Sequence, residues 1–278
     1  MTRRGVWPAA PAPLPGPIVD NHCHLDFPAG DEPRSVEDRL AEADAAGVTR
    51  VVQIGCDLES ARWTADAVAR FPQMVGGVAL HPNDAAVLAA EGAYDEAFAE
   101  ISELARGERI RVVGETGLDY YRTGPEGRGA QLQAFRDHIA LAKELNKPLQ
   151  IHDRDAHADV IDVLMADGAP ETTVFHCFSG DAAMARLCAD RGWYLSFAGT
   201  VTFKNASLLQ AAAAVTPLSL TLIETDSPFL TPHPHRGAPN SPAHAAHTVR
   251  EIARLHDRPL EEICAAVWDT SHELYGPW

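Results

Sequence analysis

The chain has 278 residues, of which 46% are hydrophobic and 22% charged, and this composition excludes an intrinsically disordered protein over most of the length. No run of the sequence approaches the roughly 20 apolar residues of a transmembrane helix. The formal net charge of −16 opposes long-range attraction of nucleic acid, so any polyanionic ligand needs a local positive site.

The N-terminal segment MTRRGVWPAAPAPLPGP contains five prolines. These prolines break the apolar helical segment that a secretion signal requires. We therefore predict that residues 1–17 form a Pro-rich N-terminal arm that is extended and partly disordered.

The five cysteines are scattered along the chain and contain no Cys-x-x-Cys spacing. An odd number without such spacing argues against a disulfide framework and against a structural zinc finger. We therefore expect a cytoplasmic protein.

Short apolar, β-branched runs alternate with helical segments along the rest of the chain, which is typical of repeated β/α units around a parallel sheet. The eight predicted strands are Ile18–Asn21, Arg50–Ile54, Met74–Leu80, Arg111–Glu115, Leu149–His152, Thr173–His176, Tyr194–Phe197 and Leu220–Glu224. Helical periodicity is found in Ser35–Ala46, Ser60–Phe71, Arg128–Leu145, Ala156–Ala166 and Ala182–Asp190. Eight units favour one α/β domain over residues 18–278, a (β/α)8 TIM barrel of the metal-dependent hydrolase type, although an open doubly wound sheet gives a similar pattern.

The first predicted strand runs into the stretch PIVDNHCHLD, which places His22 and His24 on either side of Cys23. Residues two apart in a strand share a face, so the two imidazoles project the same way. Neutral imidazole is the commonest metal ligand in proteins. The pair therefore suits a divalent metal, and the alternative is two ordinary histidines in a chain that contains 13.

Imidazoles and carboxylates recur at the ends of the other predicted strands. They are His22, His24, His81, Glu115, His152, His176, Glu224 and Asp226. In a (β/α)8 barrel the carboxyl ends of all the strands converge on one mouth, so such residues meet there. Nitrogen and oxygen donors without sulfur suit Zn²⁺, Mn²⁺, Mg²⁺ or Fe²⁺, and Glu115 can bridge two ions through its two oxygens.

The same segments resemble the TatD-type metal-dependent deoxyribonucleases of the amidohydrolase-like barrel superfamily, and the resemblance covers nearly all of the chain. It rests on the segments VDNHCHLD, ALHPND, GETGLDYY, IHDRDA, HCFSG and IETDSPFLTP in this order. The resemblance implies a two-metal site whose ligands are His22, His24, Glu115, His152, His176 and Asp226. It also implies that the substrate is a phosphodiester cleaved from a DNA end.

Three of the strand-end residues are predicted to act in catalysis. Asp226 can ligate one ion and accept the proton of the attacking water, and its alternative role is to cap the following segment. Glu115 is predicted to bridge the ions. His81 is expected to contact the phosphate or the leaving oxygen, with a structural hydrogen bond before Pro82 as the alternative.

Substrate contacts are expected from aromatic and basic residues that follow the strands. Tyr120 and Tyr121 can stack on bases, or pack within their own loop. Lys204 and Arg236 are basic residues near strand ends, as are Arg122 and Arg154, and solvated side chains are the alternative. A few such cations together with two divalent ions can make the site positive while the rest of the surface stays acidic.

Two further classes of protein are compatible with parts of this pattern. A small-molecule metallohydrolase of the amidohydrolase superfamily, acting on an amide, lactone or phosphoester, would use the same metals. A metal-holding interaction protein would use none of the chemistry, and the intact ligand set argues against it. The predicted partner is a DNA end or a short single-stranded nucleic acid, with no membrane and no obligate protein partner.

Overall fold

The computed structural model of the chain describes residues 5–278. The chain forms two compact units by internal contacts. The first unit comprises the chain up to Gln53 together with Gly180–Trp278, and the second comprises Ile54–Ser179. The predicted extent of the hydrolase domain, residues 18–278, stays a prediction.

Eight strands form one sheet in the order β1 to β8, in which each strand is hydrogen-bonded to the next along the chain. The strands are β1 (Ile18–Cys23), β2 (Val48–Gly55), β3 (Met74–Val78), β4 (Ile110–Asp119), β5 (Leu149–Arg154), β6 (Thr173–Phe175), β7 (Tyr194–Phe197) and β8 (Thr221–Ile223). The pairings of β1 with β2, β3 with β4, β4 with β5, β5 with β6 and β7 with β8 are parallel. The predicted (β/α)8 fold class is confirmed.

Helices connect successive strands. They are α1 (Val36–Ala45), α2 (Leu58–Arg70), α3 (Pro82–Glu91), α4 (Tyr94–Leu104), α5 (Pro125–Leu145), α6 (His157–Asp167), α7 (Ala182–Ala189), α8 (Ser207–Val215), α9 (Ala245–His256) and α10 (Leu260–Tyr275). Helix starts follow ordinary capping chemistry, since Ser35 accepts a hydrogen bond from the Asp38 amide and Pro82 occupies the first turn of α3. None of the helices in this described part of the chain combines the length and the apolar composition needed to span a bilayer.

Strand β4 continues four residues beyond its predicted end at Glu115 and carries the site residue Asp119. The pairing of β4 with β5 changes register between Val113 and Thr116. Gly117 lies just after this shift with φ +135°, and a Cβ there would collide with the His152 carbonyl oxygen. Only glycine permits this close approach, so β4 continues through GETGLD beyond its predicted end at Glu115.

Residues 5–17 have no helix or strand and lie along the first unit. The Gly5 amide donates to Asp31 Oδ1 at 3.0 Å, and the Trp7 indole donates to the Glu32 carbonyl at 2.9 Å. Farther along, the Leu14 amide donates to the Ala46 carbonyl at 3.0 Å. The described part of the predicted N-terminal arm therefore lacks regular secondary structure and is held by hydrogen bonds, its extended and partly disordered character stays a prediction, and its first four residues lie outside the described chain.

Candidate metal centre

Three of the predicted ligands meet in the first unit. His22 and His24, at and just beyond the end of β1, place their Nε2 atoms 3.2 Å apart. Asp226 Oδ1 lies 3.3 Å from His24 Nε2 and 3.9 Å from His22 Nε2. Cys23 between the histidines donates instead to the Val52 carbonyl at 3.5 Å. The strand alternation therefore brings both imidazoles to one carboxylate oxygen.

Buried hydrogen bonds hold β1 against the segment that carries Asp226. Asp20 Oδ1 accepts from the amides of His22 and Thr225 at 3.3 and 2.9 Å, and Asp20 Oδ2 accepts from the Thr225 hydroxyl at 2.5 Å. The Asp226 amide donates to the His22 carbonyl at 2.9 Å, and the His24 amide donates to the Ser227 carbonyl at 2.7 Å. Burial raises the pKa of Asp20 well above its usual range, against the lowering effect of its hydrogen bonds to Thr225 and His22.

Asp226 itself adopts a backbone conformation that few side-chain-bearing residues tolerate. Its φ is +53°, in the left-handed region. For most L-residues this conformation costs roughly 1–2 kcal/mol, and the cost is lower for Asp because its short polar side chain can hydrogen-bond locally. Such strain persists only where the surroundings over-determine it, which here are the main-chain hydrogen bonds on both sides of Asp226.

The other three predicted ligands meet in the second unit around Glu115, which is 5% exposed. Glu115 Oε1 lies 3.2 Å from His152 Nδ1, and Glu115 Oε2 lies 3.4 Å from His176 Nε2. His152 belongs to β5, and His176 directly follows β6. Glu115, His152 and His176 therefore form a compact group that can hold a metal ion.

His81 also reaches Glu115, with its Nε2 3.1 Å from Glu115 Oε1. Its Nδ1 accepts a hydrogen bond from the Asn83 amide at 3.2 Å and caps α3. Burial is the main cause that lowers the pKa of His81, and the neighbouring His152 lowers it further while Glu115 raises it. His81 therefore has two roles. Its Nδ1 makes the structural hydrogen bond before α3, and its Nε2 lies beside the cluster.

Asp119 is a member of the second cluster that the strand-end pattern missed. Its Oδ2 lies 3.3 Å from His152 Nε2 and accepts from the Asn83 side-chain amide at 3.0 Å. Its Oδ1 accepts from the backbone amides of Tyr121 and Arg122 at 3.0 and 2.8 Å. With both oxygens engaged twice, Asp119 orients His152 and fixes the following loop. An outer carboxylate of this kind commonly orients a metal-binding imidazole.

The two carboxylates set the protonation of His152. Burial alone would lower its pKa, but hydrogen bonds to Asp119 and Glu115, together with their charges, raise it to about 9. Burial alone would raise the pKa of Asp119, but hydrogen bonds from His152, the Arg122 amide and Asn83, together with the charge of His152, hold that pKa below its usual range. A divalent ion that binds His152 Nδ1 must displace the proton that the imidazolium carries there.

The predicted stacking tyrosines lie in the second unit, immediately after Asp119. The Tyr120 hydroxyl donates to Asp159 Oδ2 at 2.6 Å, and the Arg128 guanidinium lies 4.0 Å from the Tyr120 ring centroid. Tyr121 is 65% exposed. The Arg154 guanidinium lies 3.9 Å from its ring centroid. Tyr121 thus presents an exposed ring beside a cation, whereas Tyr120 is tied into its own surroundings.

The predicted basic contacts Lys204 and Arg236 are exposed residues of the first unit. The Arg236 guanidinium lies 4.5 Å from the ring centroid of Phe203, the residue before Lys204. Phe203 carries no polar or titratable group, and the sequence pattern gave no reason to select it.

The donors of both clusters are imidazole nitrogens and carboxylate oxygens. This set fits Zn²⁺, Mn²⁺, Fe²⁺ or, through the carboxylates, Mg²⁺. All five cysteines are free thiols. The structure thus brings the six predicted ligands together as two groups of three, one in each unit.

Comparisons with known proteins agree with this chemistry. The sequence pattern of the family described as TatD related DNase matches residues 19–276. The chain is 45% identical over 263 residues to the uncharacterized metal-dependent hydrolase TatD of Mycobacterium tuberculosis, which covers 93% of this chain and 98% of that protein. It is 36% identical over 259 residues to the uncharacterized metal-dependent hydrolase YabD of Bacillus subtilis, with 93% and 98% covered.

A solved relative extends the agreement to three dimensions. The crystal structure of YjjV, a TatD homologue from Escherichia coli, matches with a TM-score of 0.84 at 27% identity. The match covers 93% of this chain and 97% of that chain. The protein therefore belongs to the TatD family of metal-dependent hydrolases.

Proposed function

We propose that this protein is a TatD-type deoxyribonuclease that hydrolyses phosphodiester bonds at DNA ends with the help of two divalent ions. The observation that carries the proposal is the arrangement of Glu115, whose Oε1 faces His81 and His152 while Oε2 faces His176. A carboxylate that presents each oxygen to a different imidazole is suited to bridge two ions. Membership of a family described as TatD related DNase supports DNA as the substrate.

The residues that would hold the metals are His22, His24 and Asp226 in the first unit and Glu115, His152 and His176 in the second. When bound, paired divalent ions supply a lowered pKa for water and charge stabilisation for the attacking and leaving oxygens of an in-line displacement.

The chain's own residues would divide the remaining tasks. Asp226 accepts the proton of the attacking water, because its carboxylate is 16% exposed and lies beside His22 and His24, which would hold a metal ion. His81 contacts the phosphate or the leaving oxygen through Nε2, because its Nδ1 is committed to the cap of α3. Asp119 keeps the His152 ring in a fixed orientation.

Substrate would be gripped by few cations, because the chain carries a net charge of −16. Tyr121 offers an exposed ring for a base, and Lys204 and Arg236 offer charges for phosphates. The Tyr120 hydroxyl donates to Asp159, so Tyr120 stabilises this loop and is the weaker candidate for stacking on a base. Five free thiols favour a reducing compartment, and we place the reaction in the cytoplasm.

The test is to incubate the purified, metal-loaded protein with single-stranded DNA labelled at either end, and in parallel with a panel of cyclic amides and lactones. We expect label to be released from one end and the amides and lactones to remain intact. The Glu115→Gln variant, purified in the same way, controls for a contaminating nuclease. Hydrolysis of an amide or lactone with intact DNA would instead support a small-molecule metallohydrolase.

A further inference from the structure

The first unit contains a cavity of about 260 Å³ that none of the predicted metal ligands lines. Its walls are Phe203, Leu230, Thr231, Arg236 and Gly237. The wall is apolar and aromatic on the side of Phe203 and Leu230, and Arg236 adds one exposed guanidinium over the Phe203 ring. Pockets for drug-sized ligands begin at about 300 Å³, so this cavity suits one planar ring system.

Hydrogen bonds fix the Phe203 side of the cavity. The Gln210 side chain donates to the carbonyls of Val201 and Phe203 at 2.9 and 3.2 Å. The Thr202 hydroxyl donates to the Gly199 carbonyl at 2.6 Å and accepts from the His233 amide at 2.8 Å. The wall that carries Phe203 is therefore preformed and tied to the opposite loop, as ligand pockets usually are.

The other side is the loop after β8, and it is held as firmly. The Thr231 hydroxyl donates to the Ala238 carbonyl at 2.5 Å across this loop. A Cβ on Gly199 would collide with the Leu230 carbonyl oxygen, so the loop approaches the end of β7 as closely as glycine permits.

The cavity begins one residue after a turn that starts at Asp226. The Phe229 amide donates to the Asp226 carbonyl at 2.8 Å, and Leu230 follows directly. The Cα atoms at the two ends of such a turn lie within about 7 Å of each other. Leu230 in the cavity wall therefore follows a residue that is close in space to Asp226, the proposed proton acceptor.

We infer that this cavity binds a nucleobase of the substrate, the base of the nucleotide at the DNA end, against Phe203, Leu230 and the guanidinium plane of Arg236. The inference rests on the proposed function and names the part of the substrate that the site recognises. Bases stack on both aromatic rings and guanidinium planes, and the phosphate on the sugar of the same nucleotide complements the positive charge of Arg236. A sugar phosphate without a base would leave the apolar wall unused.

Binding to the metal-loaded protein tests this directly by isothermal titration. The probes are deoxyadenosine 5′-monophosphate and 2-deoxyribose 5-phosphate, which share the phosphate and differ in the base. We expect the nucleotide to bind about tenfold more tightly, the size of one stacking contact. In Phe203→Leu, which keeps an apolar side chain without the ring, that preference should fall to about twofold or less.

Two further variants keep the outcome clear. Arg236→Met removes the guanidinium at an exposed position and should also reduce the preference, so it serves if Phe203→Leu folds poorly. Arg191→Ala removes another arginine that lies over an aromatic ring, that of Trp193 before β7, and should leave the preference unchanged. Equal affinities for the two probes in the wild type, or an unchanged preference in both cavity variants, would overturn the inference.

Cleavage of oligonucleotides separates this inference from the proposed function. An oligonucleotide with an abasic residue at the cleaved end should lose about tenfold in kcat/KM in the wild type, but little in Phe203→Leu. If no DNA is cleaved at all, the nuclease proposal fails, and the nucleotide titration still decides whether the cavity recognises a base.

Discussion

In the first unit His22 and His24 approach a single oxygen of Asp226, whereas in the second unit Glu115 uses both of its oxygens to reach three imidazoles. The supports differ as well. Main-chain hydrogen bonds hold Asp226 beside His22 and His24, and the Asp20 carboxylate contacts the His22 amide but neither imidazole ring. In the second unit a charged side chain, Asp119, holds His152.

This difference separates two ways of building a metal site. A cluster positioned by main-chain hydrogen bonds keeps its shape when one ligand is replaced. A cluster positioned by neighbouring carboxylates depends on each charge, because the pKa of His152 is raised by the very groups that orient it. We therefore expect the second cluster to be the more sensitive to substitution and to pH.

Replacing Glu115 should have the largest effect. In Glu115→Gln the amide loses the charge that faces His81, His152 and His176, so we expect metal content to fall from about two ions to about one. Turnover should fall by more than the roughly 10²–10⁴-fold attributed to a single proton-transfer group. Elemental analysis after metal loading measures the metal content. Unchanged metal content in Glu115→Gln would contradict the bridging role of Glu115.

Replacing Asp226 should reduce turnover while disturbing the metals less. Asp226→Asn retains the side-chain size and the main-chain hydrogen bonds, and it removes the proposed proton acceptor. We expect kcat to fall about 10²–10⁴-fold with the melting temperature nearly unchanged. A loss below tenfold would exclude Asp226 from proton transfer.

A buried histidine in each unit should make the fold sensitive to acid. In the second unit His138 is fully buried, and burial lowers its pKa to about 4. Its neutral form accepts from the Leu80 amide at 3.1 Å. In the unfolded chain the pKa is about 6.5, so the stabilisation is complete above pH 6.5 and is lost as pH falls toward 4, by about 3 kcal/mol.

Urea unfolding of the full chain at pH 7 and pH 4.5 measures this loss. In His138→Gln the difference between the two pH values should shrink. His244 of the first unit, whose pKa burial lowers to about 4 with help from His247 and His235, gives the matched variant His244→Gln. An unchanged pH dependence in both variants would show that other groups govern acid unfolding.

Replacing Asp119 or Asp20, the carboxylates behind the candidate ligands, should have the smallest effect. These variants test most directly whether the two clusters differ in how they are supported. Asp119→Asn should weaken metal binding about 10–100-fold, as is typical when a carboxylate behind a metal-binding imidazole is removed. Asp20→Asn in the first unit should change metal affinity less, because Asp20 accepts from the His22 amide rather than from its ring. Titration with a competing chelator measures both, and equal losses would contradict the distinction between the clusters.

The sequence predicted the β/α alternation and six of the residues that meet in the clusters. Strand periodicity placed His22 and His24 on one face but left two ordinary histidines as the alternative, and the convergence of strand ends then favoured metal ligands. Glu115, His152 and His176 were found because parallel strands end at one edge of a sheet.

Three residues required the structure. Asp119 was missed because the predicted strand ended at Glu115, whereas Gly117 allows β4 to continue beside β5 as far as Asp119. Asp20 lies in the interior of a buried strand, and its partner Thr225 is 205 residues away. Phe203 carries no polar or titratable group, and its contact with Arg236 and its place in the cavity wall mark it only in the structure.

The left-handed conformation of Asp226 sets up a conflict between durability and turnover. Glycine adopts φ +53° without steric cost, so Asp226→Gly would relieve strain worth up to about 1 kcal/mol, less the extra freedom glycine gives the unfolded chain. Because the two contributions nearly cancel, a directed-evolution campaign that screens only for heat resistance would apply no selection against glycine at this position. Such a screen would accept variants that lack the proposed proton acceptor, so a screen of this chain for thermostability must also select for hydrolysis.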